Sequence, residues 1–205
     1  MIEKYFPNLT ERQKEQFATM LRLYPEWNEK INVISRRDID NLETHHLLHS
    51  LAIAKFIMFT PGTKVLDLGC GGGLPGLPLA VLFPEVHFHL IDRVGKKIRV
   101  ATAIAEACGL TNVTFQHGDS GECHDRFDFV VSRAVMPQDD LFRLVRNNFL
   151  AEQRNAIPNG LITLKGGDLS GELKGLPQGE EIELSRWFDD PFFKTKKLIY
   201  TPATR

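Results

Sequence analysis

The sequence predicts an α/β protein, a doubly wound and mostly parallel sheet with an N-terminal helical extension. Two observations carry this. From Lys64 onward, short apolar runs alternate with segments of helical period, and strands separated by helices pair in parallel and lie buried. The first run, Lys64-Val-Leu-Asp-Leu68, passes directly into a turn with glycines at 69, 71, 72, 73 and 76. A parallel sheet of this class opens its ligand crevice at that point.

Each element follows in order. Thr10-Glu-Arg-Gln13 has the capping-box spacing that starts a helix. Phe17, Met20, Leu21 and Tyr24 then form an apolar stripe, and Pro25, lacking an amide hydrogen, is expected to kink or end the helix. A second helical stretch covers about 40–59, with Leu47, Leu48, Leu51, Ala52 and Ile53 for packing, and Thr60-Pro-Gly-Thr63 closes the region. After the glycine turn come a helix over 77–83, a strand over 86–91 ending at Asp92, and a helix over 95–108 stopped by Gly109. Strands are expected over 112–116, 127–132 and 160–164, with a helix over 139–152 before the last. The stretch 166–179 has five glycines and reads as a loop or weak helix. Residues 180–184 and 194–200 are expected to finish the sheet as an antiparallel pair. The organisation expected is a helical extension over 1–60 and a sheet domain over 61–205.

Composition narrows the function. With 42% apolar and 25% charged residues in 205, the chain can bury a core. A net charge of −1 does not advertise nucleic-acid binding, although a local basic face remains compatible with it. Three cysteines without framework spacing read as reduced thiols in a cytoplasmic protein. The most apolar run, 51–59, contains Lys55 and is too short to span a bilayer.

The glycine turn admits two ligands. Gly71-Gly-Gly-Leu-Pro-Gly76 spells the dinucleotide string G-x-G-x-x-G, which leaves an NAD-binding protein as an alternative. Asp67 argues the other way. A carboxylate there would repel a pyrophosphate at the next helix and suit a cationic ligand without phosphates, such as S-adenosylmethionine. Gly69, Gly71 and Gly73 let the backbone approach that ligand. Asp92 ends the next strand, where a carboxylate accepts ribose hydroxyls or caps the following helix. Gly118-Asp-Ser-Gly121 lies at the same edge, either flanking adenine or as an ordinary turn. Arg133 ends the fourth strand and is expected to face the site.

Asp67-Leu-Gly-Cys-Gly-Gly-Gly-Leu-Pro-Gly-Leu-Pro-Leu79, Leu90-Ile-Asp-Arg-Val-Gly-Lys-Lys97, Val131-Ser-Arg-Ala134 and Leu164-Lys-Gly166 together resemble the RsmG (GidB) family. That family comprises bacterial 16S ribosomal RNA guanine-N7 methyltransferases. Trp27-Asn28, Asn32 and His46-Leu-Leu also fit its helical extension. Two departures stand out. The family usually has Arg-His with an Asp three residues after that His, where this chain has His45-His46 and His49. It usually has Asn-Leu-Thr where this chain has Asn32-Val-Ile34.

The resemblance implies a class I, Rossmann-like S-adenosylmethionine-dependent fold. It implies cofactor contacts from Gly69, Leu74, Ser120, Gly121 and Arg133, with Asp92 near the ribose. Its partner is then 16S ribosomal RNA or the small-subunit particle. Guanine N7 has an in-plane lone pair and no proton, so no general base is required. Arg133 and Lys165, both at strand ends, are the candidates for positioning the base, since N7 and O6 suit cationic donors. Arg36, Arg37, Lys96 and Lys97 are the candidate RNA contacts, with Lys194, Lys196 and Lys197 further along. A small-molecule or protein acceptor remains open on composition. His45 and His49 have a spacing that can hold a metal, but no third ligand sits at a telling interval, and no metal is expected. Cys70 has no neighbouring base to make it a nucleophile. A monomer is expected.

Overall fold

A computed structural model describes residues 1–133, 135–169, 172 and 179–203. Its centre is a seven-stranded sheet in the order β3-β2-β1-β4-β5-β7-β6. The strands are β1 (Lys64–Leu68), β2 (His87–Asp92), β3 (Val113–His117), β4 (Phe129–Arg133), β5 (Gly160–Gly166), β6 (Glu180–Glu183) and β7 (Lys196–Pro202). The first five pair in parallel, and β7 and β6 close one edge antiparallel. The order reverses between β1 and β4, so the crevice of a doubly wound sheet opens beyond those two carboxyl ends.

The helices are α1 (Ile2–Tyr5), α2 (Glu11–Lys30), α3 (His49–Phe56), α4 (Gly76–Leu82), α5 (Gly95–Ala107) and α6 (Gln138–Val145). One large core joins the N-terminal helices, α4, α5 and one face of the sheet, from Ile2 through Tyr24, Leu51 and Phe88 to Tyr200. A smaller core under α6 covers the other face through Leu66, Ile91, Val130, Leu141 and Leu161. The apolar stripe of α2 packs against α4 and α5, and α3 reaches the sheet at β5. No described helix is long and apolar enough to cross a membrane.

Three expectations change. The Thr10 capping box forms as read, but α2 runs through Pro25 to Lys30. An interior proline costs ~3 kcal/mol. Tyr24 and Met20 are fully buried and Phe17 nearly so. At roughly 1.5–3 kcal/mol per large apolar side chain, their burial outweighs the break. The second helical stretch is a 3₁₀ turn at Ile39–Asn41, a π-helical segment at Leu42–Leu48, and then α3. The helix expected over 139–152 stops at Val145, where Phe127 and Phe149 form an isolated parallel bridge instead. The glycine-rich stretch 166–179 lies largely outside the described residues, as do Ala134, Thr204 and Arg205.

Candidate cofactor and substrate site

The crevice is a cleft of about 450 Å³ at the carboxyl ends of β1, β2 and β4, a size suited to a nucleoside-sized ligand. Its floor is the glycine turn. The amides of Gly69 and Cys70 donate to the Ile91 carbonyl at 2.9 and 3.1 Å, which fastens the turn to the end of β2. The Gly71 amide donates to Asp92 Oδ2 at 2.8 Å, and Asp92 Oδ1 accepts from the Val94 amide at 2.8 Å. Asp92 therefore ties the turn to the start of α5. Both oxygens keep lone pairs free for a ribose, since a carboxylate has about four acceptor sites.

Two valines close on the turn. A Cβ on Gly72 would lie 2.9 Å from Val33 Cβ, and one on Gly69 would lie 2.9 Å from Val135 Cγ2. Val33 is brought there by Asn28, whose Oδ1 accepts from the amides of Val33 and Ile34 at 2.8 and 2.9 Å. Tyr24 donates to the Gly72 carbonyl at 2.9 Å. The helical extension thus holds the glycine turn and forms one lip of the cleft.

Asp67 stands elsewhere than expected. It has no accessible surface and is absent from the cleft lining. Its Oδ2 accepts the Gly76 amide at 2.7 Å, while Oδ1 is buried without a partner. Strand alternation explains this. Asp67 pairs with Leu90 and Val131, on the face covered by the N-terminal helices. It cannot touch a ligand ammonium directly. It is bonded to the first amide of α4, where a dinucleotide would seat its pyrophosphate. That amide already holds a carboxylate.

Burial pushes the Asp67 carboxyl up to about 7, against the Gly76 amide and Arg133, which pull it down. The folded chain therefore holds this proton more tightly than the unfolded chain, where the ordinary value is 3.8. Its contribution favours folding at low pH and is lost as pH rises through about 7, at a cost on the order of 4 kcal/mol. Asp67→Asn cannot ionise and keeps an acceptor for Gly76. Urea unfolding should find the variant more stable than the native chain at about pH 8, with the gap shrinking by about pH 5. Equal gaps at both values would mean that Asp67 does not titrate in this window.

Arg133 lines the cleft beside Gly69. Its guanidinium donates to His46 Nδ1 at 3.2 Å, and no carboxylate among the described residues lies within ion-pairing distance of it. The same cleft is lined by Asp92, Asp119, Ser120 and Val94, with Arg93 and Lys97. Asp119 caps the 3₁₀ turn Ser120–Glu122, its Oδ1 accepting the Ser120 amide at 2.8 Å.

The sequence profile described as GidB, rRNA small subunit methyltransferase G, matches residues 13–184. A protein of Phocaeicola vulgatus named Ribosomal RNA small subunit methyltransferase G is 59% identical, over 98% of this chain and 96% of its own. One of the same name from Cytophaga hutchinsonii is 48% identical over 99% of both chains. The chain belongs to the rRNA small subunit methyltransferase G family.

Among solved structures, the fold of this family member is similar to that of a MtNAS mutant in complex with S-adenosylmethionine. The TM-score is 0.61 at 14% identity, covering 93% of this chain and 76% of that one. It is also similar to Aeropyrum pernix fibrillarin in complex with S-adenosyl-L-methionine. Here the TM-score is 0.54 at 17% identity, over 75% and 73% of the two chains. At these identities the likeness is one of fold, and it matches the Rossmann-like class expected from the sequence.

Of the residues named from sequence, Gly69, Gly71, Leu74, Asp92, Ser120, Arg133 and Lys97 line one cleft. Asp67, Gly73 and Gly121 do not. Gly73 instead lets Leu77 pack beneath the turn, and Gly121 sits inside the Ser120–Glu122 turn. Lys165 also lies outside the lining. Arg133 pairs with Leu164, so Arg133 and Lys165 point to opposite faces of the sheet. The Lys165 ammonium is buried, pairs with Glu172 at 2.9 Å and donates to the Met136 carbonyl. These bonds hold the loop carrying Val135 and Met136.

Arg36 and Arg37 are exposed in a turn that follows Val33, and Lys96 is exposed beside Lys97. Lys194 is exposed, Lys197 pairs with Glu181, and Lys196 lies over the Phe192 ring at 4.7 Å. His45 stacks on Phe192 and His49 lies edge-on to it. Sequence reasoning missed Val33, Val135, Tyr24 and Asp38. Tyr24 was visible as part of an apolar stripe, but nothing in that pattern marks a hydroxyl aimed at Gly72.

Proposed function

We propose that this chain transfers the methyl group of S-adenosylmethionine to N7 of a guanosine in 16S ribosomal RNA. The observation that carries the cofactor reading is the division of charge in the cleft. Arg133, with no ion-paired carboxylate among the described residues, shares one cleft with the carboxylates of Asp92 and Asp119, and the first amide of α4 is taken by Asp67. S-adenosylmethionine matches this in one orientation. Its α-carboxylate meets Arg133, its ribose hydroxyls meet Asp92, and its adenine lies between Val94 and Ser120. A pyrophosphate has no such place.

Family membership supports the RNA substrate, and the exposed Arg36, Arg37 and Lys96 with the cleft residues Arg93 and Lys97 supply cations for its phosphates. The guanine N7 lone pair attacks the methyl carbon. The N–C bond forms as the C–S bond breaks, giving S-adenosylhomocysteine and a 7-methylguanosine that carries the positive charge. No proton moves, so the chain contributes alignment and exclusion of water, with Val33 and Val135 closing over the turn. The protein acts as a monomer in the cytoplasm.

The test is to map 7-methylguanosine in 16S ribosomal RNA from cells lacking the protein. One modified position should be missing and should return when the purified chain acts on that RNA with S-adenosylmethionine. A full complement in the deleted cells would refute the substrate.

A further inference from the structure

Arg133 is held from behind by residues that no cofactor contact requires. His46 lies in the π-helical segment and is mostly buried. Its Nδ1 accepts from Arg133 at 3.2 Å and its Nε2 meets Asp38 Oδ2 at 2.5 Å. The second oxygen of Asp38 meets His45 Nδ1 at 2.6 Å. Asp38 belongs to the turn that carries Arg36 and Arg37, eight residues before His46.

Two facts fix the direction of these bonds. An arginine only donates, so Nδ1 of His46 must present a lone pair. A carboxylate only accepts, so Nε2 carries the hydrogen. Burial and the neighbouring Arg133 charge push His46 down to about 4, which keeps the ring neutral and this tautomer in place near neutral pH. Desolvation raises the Asp38 carboxyl, but hydrogen bonds from His45 and His46 outweigh it and leave it below the ordinary range. The ring is thus a neutral spacer between an anion and a cation.

We propose that Asp38 and His46 are positioning residues that aim the Arg133 guanidinium into the cleft. A guanidinium has five N–H groups in a fixed fork, and fixing one of them orients the rest. Without the ring, the side chain would spread over several rotamers and bind a carboxylate less tightly. The bond partner is neutral, so it orients Arg133 without cancelling the charge that the ligand needs. A carboxylate in place of His46 would compete with that ligand. The proposal rests on the reading of Arg133 as the anchor for the α-carboxylate.

A double-mutant cycle on the full chain tests it, with S-adenosylmethionine affinity measured by calorimetry. Asp38→Asn should weaken binding about tenfold in the native background and less than about twofold in an Arg133→Met background, because residues that act through one another are not additive. His46→Gln retains an acceptor and a donor and should recover part of what His46→Leu loses. The KM for RNA should stay within about twofold in both His46 variants, since neither side chain lies among the exposed cations. An equal tenfold loss in both backgrounds would make Asp38 a merely structural residue and overturn the proposal. So would full affinity in both Asp38→Asn and His46→Leu. Should Arg133→Met itself leave affinity unchanged, the anchor reading fails first, and the proposal with it. If Asp38→Asn does not fold, the His46→Gln and His46→Leu pair decides alone.

Discussion

Replacing Arg133 with methionine should lower affinity for S-adenosylmethionine about 100-fold, or ~2.7 kcal/mol. The reason is that its charge has no partner within the described protein beyond a neutral ring. Hydrogen bonds to a charged group contribute ~1.5–3 kcal/mol, and a forked pair lies at the upper end. Methionine keeps much of the apolar stem, so the loss reports the charge and not a cavity. The product S-adenosylhomocysteine keeps the carboxylate and should lose as much. Decarboxylated S-adenosylmethionine should bind native and variant chains alike. Calorimetry with the three ligands separates this from a role on the guanine, which would lower kcat and leave all three affinities in place.

The second large effect is on stability. Gly73→Ala should cost ~3–4 kcal/mol and lower Tm by roughly 10 °C, for two additive reasons. Gly73 has φ +107, where an L side chain is strained by ~1–2 kcal/mol. A Cβ there would also lie 2.5 Å from Leu77 Cδ1 and 2.7 Å from Leu77 Cγ, in a side chain with no exposure. Overpacking of this kind costs ~1–3 kcal/mol. Gly71 is the control. Its φ is +54, and a Cβ there meets nothing within 4 Å. Gly71→Ala should therefore cost only the conformational part, ~1–2 kcal/mol. Thermal unfolding of the two variants side by side measures the difference, and equal Tm values would remove the packing argument.

Local sequence set the strands and the turn, because each depends on residues close together in the chain. The apolar runs of β1, β2 and β5 sit within a residue or two of where alternation put them. Gly109 stops α5 at φ +64 as a helix-ending glycine does. Asp92 was legible as a strand end; its oxygens accept the Gly71 and Val94 amides, while the N-cap of α5 is Val94 and carries no side-chain cap bond. Where a local signal competed with burial, as at Pro25, burial decided and the local reading failed.

By itself the sequence determined the parallel sheet, the crevice at the first turn and the family, since spacing and motif are properties of contiguous residues. Only the tertiary structure decided which carboxylates line the cleft and which cations are ion-paired. Facing is set by strand register and by long-range packing, which put Asp67 against the start of α4, turned Lys165 to the opposite face from Arg133 and brought Asp38 to His46. A one-residue step along a strand reverses the side on which a charge stands, and no spacing within the chain announces which neighbour will cover it.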